Sequence, residues 1–123
     1  MKFATNLKKI ALAVVVAASS SSALADVLTF KVTASGGKYY FDGELTPVVE
    51  AQVGDTLVFD VSEIRSHPFY LTEVADSRRV FAGSAQVGRE VRLEVDETTP
   101  EQLFYSCSRH ANMGGIGFIK ILK

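Results

Sequence analysis

Cys107, His110 and Met113 stand at the spacing C-x2-H-x2-M near the C-terminus. They include the only cysteine of the chain, one of its two histidines and one of its two methionines. Thiolate and thioether are soft donors that favour copper, and imidazole suits it too. With one more imidazole the set becomes a trigonal His₂Cys site with a weak axial Met, a donor set used for one-electron transfer. His67, in Ser66-His67-Pro68-Phe69-Tyr70, is the one candidate, and it leaves no histidine over. Zinc competes for Cys and His. A thioether in the fourth position favours copper on softness. Plainer readings stand beside each residue. Cys107 could be a buried, inert thiol or form an intermolecular disulfide, His67 a surface histidine held by Pro68, and Met113 core filler.

These side chains need a scaffold to meet, and the sequence reads as β throughout. Leu28–Thr33 alternates apolar and polar residues, as does Glu90–Val95, the mark of half-buried strands. Short strands are expected at 38–41, 48–51, 57–61, 69–72, 103–107 and 117–122, with a further one at Val80-Phe81. Turn residues such as Ser35-Gly36-Gly37, Asp42-Gly43 and Gly54-Asp55 separate them. About seven to eight strands of this kind indicate an all-β sandwich or Greek-key barrel. Period two puts Leu103, Tyr105 and Cys107 on one strand face, so the thiol points inward with the core residues. Gly114-Gly115-Ile116-Gly117 permits close backbone approach and a sharp return. His110 and Met113 then lie on a loop folding back over Cys107, and His67 reaches in from another strand end.

The N-terminus carries Lys2, Lys8 and Lys9, the apolar run Ile10–Ala18, a serine run and Ala23-Leu24-Ala25. That order describes a secretory signal peptide, and the apolar run is too short to span a membrane. Residues 1–25 are expected to be removed, leaving one domain of 26–123, exported to the periplasm or secreted, with no membrane span after cleavage. The mature chain holds 10 basic against 14 acidic residues, which argues against nucleic acid or an anionic membrane as partner. A lone cysteine cannot staple an exported domain, and metal ligation would give it an occupation.

Tyr105-x-Cys107-x-x-His110-x-x-Met113 with an upstream histidine resembles the cupredoxins, and the loop spacing is similar to that of the amicyanin branch. Gly54-Asp55-Thr56-x-x-Phe59-Asp60 followed by His67-Pro68-Phe69-Tyr70 resembles small bacterial cupredoxin-like domains, so that the likeness covers 26–123. The resemblance implies a Greek-key sandwich with one copper per chain, held by His67, Cys107, His110 and Met113. It also implies a departure. Cupredoxin electron carriers usually have Asn after the first histidine, whose N–H donates to the cysteine sulfur. Pro68 has no N–H to donate.

Three functions follow as expectations. The first is a monomeric periplasmic carrier of single electrons, working with a redox protein such as a c-type cytochrome or another periplasmic copper protein. The second is a copper-binding or sequestering protein. The third is a structural cupredoxin-like module. No enzyme is expected: multicopper catalysis needs further histidines, and no hydrolytic constellation is present. The carrier reading places an edge of His110 at the surface, ringed by Ala111, Met113, Pro68 and the glycines, with Arg109 exposed beside it and steering charge held elsewhere.

Overall fold

The computed structural model describes residues 25–123, which form ten strands and no helix. The expected signal peptide, apart from Ala25, lies outside the described residues. Among the described residues no helix is long and apolar enough to cross a membrane. The strands are β1 (Val27–Ser35), β2 (Lys38–Phe41), β3 (Glu44–Leu45), β4 (Val48–Gln52), β5 (Thr56–Asp60), β6 (Phe69–Thr72), β7 (Ser84–Val87), β8 (Glu90–Glu94), β9 (Gln102–Cys107) and β10 (Phe118–Leu122). They build two sheets, ordered β3-β2-β1-β5-β8-β7 and β4-β10-β9-β6. The architecture is the expected all-β sandwich.

Alternation decides which faces meet. Val91 and Leu93 of β8 are buried, as are Phe30 and Val32 of β1, while Arg92, Glu94, Thr29 and Lys31 beside them are exposed. Leu103, Tyr105 and Cys107 of β9 all join the same buried core as Phe69 and Leu71 of β6. The β6/β9 register pairs Phe69 with Cys107 and Leu71 with Tyr105. Directly opposed residues share a sheet face, so this register turns the Cys107 thiol inward. Rings from both sheets interlock there. Phe59 and Phe69 have centroids 5.2 Å apart, and Phe41 and Tyr105 4.5 Å. Such pairs add about 0.5–1.5 kcal/mol each beyond area burial, which makes the floor beneath the thiol stiff.

The strand expected at Val80-Phe81 does not form. The Phe81 N–H donates to the Leu71 carbonyl at 2.7 Å, but the chain then turns through Ala82-Gly83. Strand β7 comes instead from Ser84–Val87, which pairs with β8 across a turn at Gly88, φ +60°. Its side chains are largely exposed, so no alternation marked it. The two-residue β3 is likewise held by pairing with β2.

Candidate metal centre

β9 ends on Cys107 and β6 begins two residues after His67. Continued by two residues, the antiparallel register that sets Phe69 opposite Cys107 sets His67 opposite Arg109. The histidine is thereby delivered beside the thiol. The Cys107 Sγ and His67 Nδ1 atoms are 4.0 Å apart, and the imidazole centroids of His67 and His110 are 4.6 Å apart. Donor atoms of His67, Cys107 and His110 all lie within 4.8 Å of one another. Ligands at about 2.0–2.3 Å from one ion stand roughly 3.5–4 Å apart, so the three fit a common ion with little movement. Burial grades outward. Cys107 is buried, His67 is half-buried and His110 is exposed.

Met113 has no exposed surface and packs in the core cluster that contains Cys107. It is therefore not part of a surface ring around His110, contrary to expectation. Of the other residues on these segments, Ala111 and Ile116 are exposed, the latter by 86%, and Pro68 is half-buried.

Tyr39 of β2 holds both ligand-bearing segments, and its place in the sequence gave no sign of this. Its N–H donates to the Met113 carbonyl at 2.9 Å. Its buried phenol donates to the carbonyls of His67 at 2.9 Å and Pro68 at 3.1 Å. Burial, and after it the neighbouring Cys107 thiol, pushes the phenol above its ordinary pKa, so it remains a donor. On the other side the Asn112 N–H donates to Asp76 Oδ1 at 2.7 Å. Asn112 itself sits at φ +61°. The return is close-packed: a Cβ on Gly114 would meet the Tyr105 carbonyl, and one on Gly117 would meet the Tyr105 hydroxyl. Tyr105 in turn donates to the Pro47 carbonyl at 2.6 Å.

Among solved structures, reduced rusticyanin aligns with this chain at 15% identity over 78% of it and 79% of rusticyanin, with a TM-score of 0.50. The fold is that of the cupredoxins. A second structure, of the copper protein rusticyanin, aligns at 12% identity over 78% and 76% of the two chains, TM-score 0.48. Rusticyanin from Thiobacillus ferrooxidans aligns at 11% over 78% and 77%, TM-score 0.48. No protein-family model and no curated protein matches the chain by sequence.

Pro68 has no N–H to give the thiol, but another backbone donor reaches it. The Arg109 N–H donates to Cys107 Sγ at 3.3 Å. A donor to thiolate sulfur withdraws electron density from it and tunes a bound metal. The contact depends on the turn just after β9, so residue types alone did not reveal it.

Proposed function

We propose that this protein carries single electrons through one copper ion that His67, Cys107 and His110 would hold, with Met113 as the weak fourth donor. The carrying observation is the His/Cys/His cluster, with all donor atoms within 4.8 Å, at one end of a cupredoxin sandwich. Copper supplies the one-electron couple. The protein supplies position. Tyr39 ties the His67 and Met113 segments to one strand, and Asp76 ties down the loop between His110 and Met113. A site fixed in this way changes little between two oxidation states, which keeps the cost of transfer low. As a ligand Cys107 would give up its proton, and the Arg109 N–H, 3.3 Å from the sulfur, would stabilise the resulting charge. The exposed edge of His110 is the point where a partner approaches, and the deeper thiolate is kept from solvent.

Export to the periplasm, and a c-type cytochrome or another periplasmic copper protein as partner, belong to the same proposal. They rest on the N-terminal pattern and on the surface edge of His110.

Copper loading followed by removal of excess metal tests the reading. One copper per chain, intense thiolate-to-copper absorption toward the red and reversible one-electron voltammetry are expected. Cys107→Ser should lose the absorption and bind copper more weakly. Colourless loaded protein, or copper that cannot be cycled, would leave sequestration or a structural role in its place.

A further inference from the structure

The end of the sandwich away from the candidate centre holds a carboxylate without a cation. Strand β9 ends on Cys107 and starts at Gln102, which pairs with Lys120 of β10. Leu122 of β10 pairs with Gln52 of β4, and the turn after Gln52 carries Asp55. This turn joins the two sheets, since β4 belongs to one and β5 to the other. Asp55 is only 5% exposed. Each of its oxygens takes one backbone donor: the Gln52 N–H gives to Oδ2 at 2.9 Å and the Asp26 N–H to Oδ1 at 3.2 Å. Among the described residues no lysine, arginine or histidine pairs with it. Lys123, which follows Leu122, gives its ammonium to the Glu97 carbonyl at 2.9 Å. A buried charge is costly unless paired. Burial raises the Asp55 carboxyl above its ordinary pKa, in spite of the two donated bonds.

Asp26 is held from both sides. Its carbonyl accepts the Thr56 N–H at 2.8 Å, at the start of the parallel register that sets Val27 of β1 opposite Thr56 of β5. Its nitrogen is thereby fixed against Asp55. That nitrogen is the atom that cleavage after Ala25 would free. Hydrolysis of the Ala25–Asp26 peptide bond consumes one water, leaving a carboxylate on Ala25 and an amine on Asp26. An α-amine has a pKa of about 7.7–8.0, so at neutral pH it is chiefly an ammonium. Ala25 and Asp26 are exposed and precede β1, so the nitrogen need not move when the bond is cut.

We infer that export cleavage after Ala25 completes the fold, because the new Asp26 α-ammonium forms an ion pair with the buried Asp55 carboxylate. A neutral N–H···O bond becomes a charge-assisted one in the same place, and such bonds are roughly twice as strong. The carboxylate is already buried in the uncut chain, so its desolvation is not added by the pairing. The side chain of Asp26 is itself negative and adds to the charge at Asp55, and the ammonium answers both. The pair ties the first strand to the turn that joins the sheets. It also makes the fold specific for the cleavage site. A chain one residue longer carries its ammonium on Ala25, and a chain one residue shorter lacks the Asp26 nitrogen. The inference rests on the expected cleavage and is independent of the metal.

Two chain lengths test it. Removal of a fusion partner that leaves no extra residue gives chains starting at Asp26 or at Ala25. By denaturant titration the unfolding constant in water should be about fivefold smaller for the chain starting at Asp26. Asp55→Asn keeps an acceptor and removes the charge, so it should bring the two lengths together. Equal stability of the two parent lengths would overturn the inference, as would a difference that survives Asp55→Asn. A second measurement needs no variant. Cyanate reacts with the unprotonated α-amine, and pairing with a carboxylate keeps that amine protonated. Carbamylation of the Asp26 amine at pH 7 should be about threefold or more slower in the folded chain than in the same chain in guanidinium chloride. Equal rates would show an unpaired amine and overturn the inference. The exported protein should begin at Asp26 by intact mass, and any other first residue would overturn it too.

Discussion

Tyr39 and Met113 meet through one backbone hydrogen bond, and each makes a prediction at the scale of single atoms. The Tyr39 hydroxyl is shared between the carbonyls of His67 and Pro68. Tyr39→Phe keeps the ring against Phe69, 5.1 Å away, and removes only the donor. Stability should fall by about 1–2 kcal/mol, because a part-buried acceptor loses its partner. Denaturant unfolding measures this. The copper absorption of Tyr39→Phe should also broaden, because His67 is less well placed, and an unchanged band would confine the hydroxyl to stability. Met113→Leu nearly conserves volume, and its cost in stability should stay below about 1.5 kcal/mol. On the proposed ligand set it removes a weak donor to oxidised copper, so copper should stay bound and the reduction potential should rise. An unchanged potential by voltammetry would make Met113 a packing residue.

At the scale of elements, the ligand loop is held by its return as much as by its ligands. Gly117 packs where a side chain has no room: an added Cβ would meet the Tyr105 hydroxyl and lie 2.7 Å from the Pro47 carbonyl. Gly117→Ala should therefore cost about 1–3 kcal/mol through overpacking and displace the Tyr105–Pro47 hydrogen bond. A thermal melt within error of the parent would show that the loop yields freely. The far connection 95–101 makes a prediction in pH. The hydroxyl and then the N–H of Thr98 donate to the Asp96 carboxylate and hold its pKa below the ordinary carboxylate value. The folded chain binds that proton less tightly than the unfolded chain. Its stabilisation is thus complete above the ordinary carboxylate range and is lost as pH falls through the lowered folded value. Asp96→Ala should flatten the acid limb of a stability-versus-pH curve, and two superimposable limbs would contradict the assignment.

For the whole molecule, the candidate centre joins three segments that strand pairing alone leaves at the margin of the sandwich: the turn before β6, the end of β9 and the loop into β10. A ligand that binds the folded chain and not the unfolded one stabilises it by mass action, about 2.7 kcal/mol at a free concentration one hundred times its Kd. Copper should therefore raise Tm, chelation should return it, and Cys107→Ser should lose most of the shift. Equal melting temperatures with and without copper would mean that the metal does not bind across these segments.

How much of this was legible without coordinates depended on distance along the chain. The types and spacing of Cys107, His110 and Met113, the alternation through Leu103, Tyr105 and Cys107, and the glycines of the return are local patterns, and local sterics enforce them. His67 could be named because no other histidine remained. Tertiary structure decided the rest. The parallel pairings of β1 with β5 and of β4 with β10 bring together segments that share no pattern. The exposed β7 exists only through its partner strand. Tyr39 reads as one more core aromatic until pairing sets its two ends against the two ligand segments. Residue identity thus determined which chemistry was available, and long-range packing determined which atoms come within reach of one another and what surrounds them.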